Sequence, residues 1–151
     1  CLGLSPALIS KLAHEAERYY RSFLRKKKGG GARIIQSPRL FLKVVQWFLA
    51  DCVLPVLPVS EAVHSFRSGR SIVSNAQPHE RKAFVANIDI SDFFGSVTRS
   101  RLRAMLVRRG FSSKEAIAIS RLTTLAGSLP QGAPTSPILS NAFLWRESQF
   151  S

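Results

Sequence analysis

The 151-residue chain carries 22 Lys and Arg residues against 9 Asp and Glu, a formal net charge of +13 at pH 7. Its length and 45% hydrophobic content provide for one moderate hydrophobic core, which excludes an array of several large domains. No apolar run reaches the ~20 residues of a membrane-spanning helix. A field this positive favours a polyanionic partner, and nucleic acid is the commonest one.

Cysteine usage and the N-terminus give weaker information. Cys1 and Cys52 form no metal-binding motif and indicate a reducing compartment. No basic region followed by a long apolar stretch marks an export signal, so we expect a cytoplasmic protein. Because the chain begins with Cys and stops just after a helical pattern, we also expect it to be part of a longer protein.

Apolar spacing predicts mostly helix in the first half of the chain, interrupted by one glycine-rich stretch. The predicted elements, in chain order, are a helix from Ser5 into the basic run 25–28, a hairpin tip or flexible loop at 29–31, a strand at Ala32–Gln36, a helix from Pro38 to about Val53, a glycine-containing loop at Phe66–Arg70 and a short helix at Ser71–Ala76.

The second half mixes a strand with further helices, without the regular alternation of a parallel sheet, and this predicts an α+β fold. The predicted elements are a buried strand over the apolar run Ala83–Ile88, a turn at Ser91-Asp92, helices at about Arg99–Arg109 and Ser113–Leu125, a turn at Leu129–Gly132 and a last helix at Pro134–Phe143.

Asp89 follows the predicted buried strand directly. An unpaired carboxylate there is costly, so it needs a charged partner. A metal ion is one candidate, because phosphoryl transfer in polymerases uses carboxylates to hold two cations. From this stretch alone the simpler interpretation is that Asp89 or Asp92 caps the helix that begins near Phe93.

Two basic segments could bind phosphates. The segment 26–33 places three lysines and Arg33 around three glycines, although it lacks the Gly-Lys-Ser/Thr of a P-loop. The segment 65–71 places two arginines around a glycine before a predicted helix start. By itself, the first segment is better explained as a solvated basic loop, whereas for the second a surface turn with exposed arginines is about as good an explanation as phosphate binding.

Two further segments carry polar groups with a defined spacing. Asn75 and His79 lie four residues apart and could meet base edges or ribose hydroxyls, or could be ordinary surface residues. The segment Leu129–Pro137 packs three prolines, one glycine and two hydroxyls into nine residues. Such a stiff run can form a platform beside a substrate, and a structural turn is the alternative.

Taken together and in this order, the segments resemble the first half of a bacterial reverse transcriptase of the retron type. The stretches 29–38, 65–71, 84–94 and 129–141 resemble four successive motifs of these enzymes. Asn75-Ala76 with His79 resembles a signature that separates retron enzymes from group II intron relatives. The likeness covers about residues 25–145. It implies the fingers (about 1–82), a palm strand and turn (about 83–98), and helices with the Leu-Pro-Gln-Gly segment (about 99–151).

The resemblance implies a nucleotide-binding role for several residues. Asp89, with the backbone carbonyl of Ile90, would hold two Mg²⁺ ions. Phe94 would exclude a 2′-hydroxyl and so select deoxynucleotides by bulk. The remaining implied contacts are to the triphosphate and the nucleotide, from Lys27, Arg33, Asp92, Phe93 and Gln131.

The resemblance also implies contacts to the RNA template, by Arg67, Arg70, Asn75, His79, Gly132 and Pro134. RNA template, primer and deoxynucleoside triphosphates are the implied partners, and a retron non-coding RNA and a role in antiviral defence are extensions of the same likeness. The later Asp-Asp hairpin and the thumb of these enzymes have no counterpart, because no two aspartates are adjacent in this sequence. The implied function is that of part of an RNA-directed DNA polymerase, and the alternative is a catalytically inactive RNA-binding remnant.

Overall fold

A β-hairpin and a set of packed helices make up the computed structural model, which describes residues 3–26 and 30–145. The hairpin pairs β1 (Tyr20–Lys26) with β2 (Ala32–Pro38) in antiparallel register, with Tyr20 opposite Pro38 and Lys26 opposite Ala32. The predicted α+β class is therefore confirmed.

The helices follow the predicted positions over most of the chain. Ser112 and Glu115 form a reciprocal capping box at the start of α6, which supplies two of the amide partners that a helix start lacks. Among the described residues, no helix is long and apolar enough to cross a bilayer. The helices are α1 (Pro6–His14), α2 (Leu40–Phe48), α3 (Ile72–Ala76), α4 (Phe93–Ser96), α5 (Arg99–Arg108), α6 (Ser113–Thr123) and α7 (Ser136–Leu144).

The prediction of one long helix from Ser5 into the basic run is wrong. α1 ends at His14, a short 3₁₀ turn covers Ala16–Tyr19, and the chain then enters β1. Aromatic residues at Tyr19, Tyr20 and Phe23 continue the helical spacing by chance, but aromatic side chains also favour strands. Pairing with β2 decides the outcome, because it supplies partners for the β1 backbone that the sequence spacing does not reveal.

The core lies among the helices, and the hairpin projects from it. In β1 only Tyr20 is buried, and in β2 only Pro38 is buried, so the hairpin is anchored at its base alone. The largest buried apolar side chains come from α1, α2, the turn after α2, α5 and α7: Leu12, Leu42, Leu54, Leu102, Leu106 and Leu139.

One polar group lies inside this core. Gln46 of α2 is fully buried, and its Nε2 donates to the Tyr20 hydroxyl and to the Leu122 carbonyl, both at 2.7 Å. Burial raises the pKa of Tyr20 to about 12, partly offset by the hydrogen bond from Gln46. The side chain thereby ties the base of the hairpin to α2 and α6.

The prediction of a buried strand at Ala83–Ile88 is wrong. This stretch forms no strand and every residue in it is exposed, with Phe84 at 88% and Ile88 at 90% exposure. A run of apolar residues predicts burial only if another element covers it, and a strand requires a neighbour for its backbone groups. Within residues 3–26 and 30–145 no segment pairs with it.

Candidate nucleic-acid interface

The Leu-Pro-Gln-Gly turn lies against the base of the hairpin. The Gln36 amide of β2 donates to the Gln131 carbonyl at 2.8 Å. Gly132 has a φ of +120°, and a Cβ at this position would lie 2.8 Å from Ile35 Cγ2 and 3.3 Å from the Gln36 carbonyl oxygen. The close approach of turn and strand therefore depends on the missing side chain of Gly132.

The same turn is joined to the segment that follows α4. The Leu129 amide donates to the Val97 carbonyl at 3.2 Å, and Thr98 bridges to Ser128. Inside the loop, the buried Ser136 hydroxyl donates to the Pro130 carbonyl at 2.7 Å. Pro134 is half-buried in this loop. Three stretches far apart in sequence, 32–38, 93–98 and 129–136, thus meet through the turn.

The described part of the hairpin tip carries closely spaced positive charge. Arg33 of β2 lies directly opposite Arg25 of β1, and both side chains are exposed. Like charges directly opposite on an antiparallel pair are destabilising, and a bound anion relieves that repulsion. In the described ranges no carboxylate forms an ion pair with either arginine. Lys27, the other predicted phosphate-binding residue, lies outside the described residues.

Arg67 and Arg70 converge on one carboxylate. Each donates from Nη2 to a different oxygen of Glu61 at 2.7 Å, and Arg67 Nη1 also donates to the Ser60 carbonyl at 3.1 Å. Hydrogen bonding and charge from Arg67, with a smaller contribution from Arg70, lower the pKa of Glu61. The two guanidinium groups are therefore held together on one side of the loop, about 70% covered by their neighbours and aimed at a single anionic group.

Phe66 lines two cavities on this loop. It has a φ of +54°, a strained value for a bulky residue, and its side chain is 75% exposed. One cavity, of about 580 Å³, is bounded by Phe66, Arg67 and Asn141, and the other, of about 340 Å³, by Phe66, Arg70 and Asn75. The Asn141 side chain of α7 donates to the Ser65 carbonyl at 2.9 Å. This bond joins the loop 65–71, the arginine loop, to the helix that follows the Leu-Pro-Gln-Gly turn.

The structure brings Asn75, but not His79, to a cavity with Arg70. Asn75 lies in α3, whose start is capped by Ser71 and Ser74. His79 lies at the end of the 3₁₀ turn Gln77–His79, exposed and away from the lining of that cavity. His64 does contact this region, through a 2.9 Å hydrogen bond between Nδ1 and the Ser74 hydroxyl.

Asp92, Phe93 and Phe94 mark the start of α4. Asp92 adopts the left-handed conformation at φ +46°, and its side chain makes no capping hydrogen bond. Instead its carboxylate lies over Gly95, where a Cβ would collide with it. The half-buried rings of Phe93 and Phe94 lie 6.2 Å apart and pack against the core. The simple capping interpretation of Asp92 is therefore wrong, because its oxygens accept no amide hydrogen bond from the helix.

Asp89 and Ile90 lie in the exposed stretch before α4, which is neither helix nor strand. A two-ion Mg²⁺ site needs several carboxylate ligands. The described residues contain no group of three or more His, Cys, Asp or Glu side chains that could hold a metal ion. The groups present here therefore do not form a complete two-metal site, although Asp89 is accessible to an ion.

Sequence reasoning missed several residues that shape this interface. Arg25 was predicted only as part of a basic run at the end of a helix, so its position opposite Arg33 was missed. Phe66 was predicted only as part of a loop, because an exposed aromatic in a loop has no periodic signal. The pairing of Glu61 with two arginines and the contact of Asn141 with Ser65 join residues at least six positions apart, so only the folded chain reveals them.

Comparison with known proteins gives a consistent result. Residues 25–148 match the family of reverse transcriptases (RNA-dependent DNA polymerases). The chain is 35% identical to the retron Mx65 reverse transcriptase of Myxococcus xanthus over 96% of its length, 35% identical to the retron Mx162 enzyme of the same organism over 93%, and 31% identical to the retron Ec86 enzyme of Escherichia coli over 91%. It spans 39%, 34% and 44% of the lengths of these three relatives.

Proposed function

The chain belongs to the reverse transcriptase family, and from that membership we propose that it forms the fingers and part of the palm of a retron-type RNA-directed DNA polymerase. The reaction of the whole enzyme joins a primer 3′-hydroxyl to the α-phosphate of a deoxynucleoside triphosphate and releases pyrophosphate. The proposed template is RNA, and a retron non-coding RNA is its proposed source.

The observation that carries this proposal is the contact between the hairpin and the Leu-Pro-Gln-Gly turn. The Gln36–Gln131 hydrogen bond and the close approach of Gly132 to Ile35 join a cationic hairpin to a stiff loop. A nucleotide-binding cleft needs this combination, because the arginines attract phosphates while a rigid backbone fixes the position of the base.

Within that cleft, the proposed nucleotide contacts come from three elements. Arg33 and Lys27 bind the β- and γ-phosphates, and the Asp92 and Phe93 amides bind the same triphosphate. Phe94 lies under the sugar and excludes a 2′-hydroxyl. Its ring is supported from behind by the core, which is what exclusion by bulk requires, because a mobile ring would yield to the hydroxyl. Gln131 positions the nucleotide from the turn.

The proposed template contacts lie along the arginine loop and the turn. Arg67 and Arg70 bind backbone phosphates in place of Glu61, whose carboxylate occupies their forks in the free protein. Asn75 and His79 contact bases or ribose hydroxyls, and Gly132 and Pro134 support the template backbone. Of these, His79 has the least support, because it lies away from the cavity that Arg70 and Asn75 share.

Reverse transcriptases generally use divalent metal ions, and Asp89 with the Ile90 carbonyl is the proposed contribution of this chain to that site. A second candidate function is an RNA-binding module without catalysis of its own, and the observation that favours it is the pair of arginines, Arg67 and Arg70, held together on one carboxylate. Both functions share the RNA interface and differ in whether chemistry occurs.

Primer extension tests whether this chain catalyses DNA synthesis by itself. This chain alone, supplied with Mg²⁺, an RNA template, an annealed primer and deoxynucleotides, is expected to give no extended product. Asp89 alone cannot hold two cations against the repulsion of the phosphates. Product resolved on a denaturing gel, absent with an Asp89→Asn variant, would contradict this expectation and would favour a polymerase active by itself.

RNA binding tests the interface common to both functions. We expect the chain to bind a single-stranded RNA oligonucleotide in fluorescence anisotropy with strong salt dependence. Arg33→Gln and Arg67→Gln should each reduce the slope of log Kd against log salt by about 0.7, the value for one phosphate neutralised on a single strand.

Glu61→Gln should tighten binding several-fold, because it removes the carboxylate that competes for the two arginines.

The matched control for these variants is Arg18→Gln, which removes an exposed arginine that pairs only with Glu15 in the described part of the chain, outside the cleft. A slope change with Arg18→Gln as large as with Arg33→Gln would mean that net charge alone drives binding. Absence of salt-dependent RNA binding by the unmodified chain would overturn the proposed function.

A further inference from the structure

A cationic cavity of about 490 Å³ lies between α5 and α6, apart from the cleft residues described above. Its lining contains no carboxylate. The polar groups in the lining are three arginines and three hydroxyls: Arg99, Arg103, Arg121, Thr98, Ser100 and Ser120.

Two of the three guanidinium groups of this cavity have hydrogen-bond partners that do not neutralise them. Arg99 Nε donates to the Thr124 hydroxyl at 2.7 Å. Arg121 Nη1 lies 3.2 Å from His14 Nε2. The other ring nitrogen of His14, Nδ1, lies 2.8 Å from the Ser10 carbonyl, so it carries the proton and Nε2 is the acceptor. Neither partner is an anion.

The charge on these arginines is not balanced by any carboxylate that the structure describes. Across residues 3–26 and 30–145, no carboxylate forms an ion pair with Arg99, Arg103 or Arg121. Arg99 and Arg103 are four residues apart on α5, where like charges lie side by side and destabilise a helix. An anion bound between the two helices would remove this repulsion.

We propose that this cavity binds a backbone phosphate of RNA, at a second site beyond the template cleft. Guanidinium forks and hydroxyl groups are the side chains that most often contact nucleic-acid phosphates. The cavity also borders the chain segments that position the turn, since Thr98 bridges to Ser128 immediately before Leu129. This inference rests on the proposed function, because it takes RNA to be the polyanion that the protein binds.

The test compares two variants with the same reduction in charge. Arg103→Gln/Arg121→Gln empties the cavity of two cations but keeps Arg99, which bonds Thr124. Arg108→Gln/Lys114→Gln removes one exposed cation from each of the same two helices, outside the cavity lining. Each variant is titrated with a 20-nucleotide oligouridylate at several KCl concentrations, after thermal melting has shown that both are folded.

Because the cavity variant lacks two of the guanidinium groups that would neutralise this one phosphate, it should reduce the salt-dependence slope by about 0.7 and weaken binding several-fold at fixed salt, while the control changes it much less. Equal slopes for the two variants would overturn the proposal. A second arm adds inorganic phosphate. If phosphate raises the melting temperature of the unmodified chain but not of the cavity variant, while RNA affinity is equal in both variants, the cavity is a free-anion site and the RNA assignment is wrong.

The experiments distinguish failure of the cavity proposal from failure of the proposed function. If the unmodified chain binds RNA and Arg33→Gln weakens that binding, the cleft interface stands even when the cavity variant behaves like its control. If the unmodified chain binds no RNA, the proposed function fails, and the phosphate arm alone then reports on the cavity.

Discussion

Replacing Gly132 with alanine is expected to lower the free energy of unfolding by about 2–5 kcal/mol. Two effects add. The φ of +120° is a conformation that alanine adopts only under strain, and the new Cβ would lie 2.8 Å from Ile35 Cγ2 and 3.3 Å from the Gln36 carbonyl oxygen. Because the second atom belongs to the backbone of β2, relief requires the turn to move away from the hairpin, which weakens the Gln36–Gln131 hydrogen bond.

Gly110→Ala is the matched control for this prediction. Gly110 also has a positive φ, +93°, but a Cβ there meets nothing within 4 Å. Its cost should be limited to the strain of the backbone, about 1–2 kcal/mol. Urea unfolding followed by circular dichroism measures both variants. If the two variants lose equal stability, crowding at Gly132 contributes nothing, and the hairpin and turn are not closely packed.

The second large effect is expected at Gln46, where substitution by methionine should lower the free energy of unfolding by about 2–4 kcal/mol. Methionine has a similar shape, so packing is largely kept. The destabilisation comes from the Tyr20 hydroxyl and the Leu122 carbonyl, which remain buried without the amide that binds them. Part of it is offset, because Gln46 Oε1 is itself buried without a partner among the described residues.

A double-mutant cycle with Tyr20→Phe isolates the bond between the two side chains. Removing both polar partners leaves only the Leu122 carbonyl unpaired, so the double variant should be destabilised by about 1 kcal/mol less than the sum of the single variants. Chemical denaturation of all four proteins gives the coupling. Strict additivity would mean that Gln46 acts on α6 alone and does not hold the base of the hairpin.

The helical part of the fold is largely predictable from local sequence. α2, α5 and α6 lie where apolar spacing placed them, and the structure shows serine caps, Ser71 and Ser112, at the starts of α3 and α6. The two elements that were predicted wrongly both involve strands. A strand is defined by its neighbour, so β1 was assigned to a helix, and Ala83–Ile88 was assigned to a strand although no described segment pairs with it.

The candidate site is less predictable, because its connections run between distant polar residues. The motifs predicted which segments matter, but Gln36 bonding Gln131 and Asn141 bonding Ser65 are separated by 95 and 76 positions, differences read directly from the residue numbers. Glu61 lies outside every motif, yet it binds both arginines of the loop. Contacts of this kind leave no periodic trace, and only the folded chain brings the partners together.

The exposed stretch 83–90 before α4 also affects how the purified protein associates in solution. Phe84, Ile88 and Ile90 are exposed in a stretch that is neither helix nor strand, and backbone amides and carbonyls that no other segment pairs with can pair with a strand from a neighbouring molecule. Self-association through this stretch would increase with protein concentration and would be insensitive to salt, unlike RNA binding. Measuring RNA binding at several protein concentrations therefore distinguishes self-association from RNA binding.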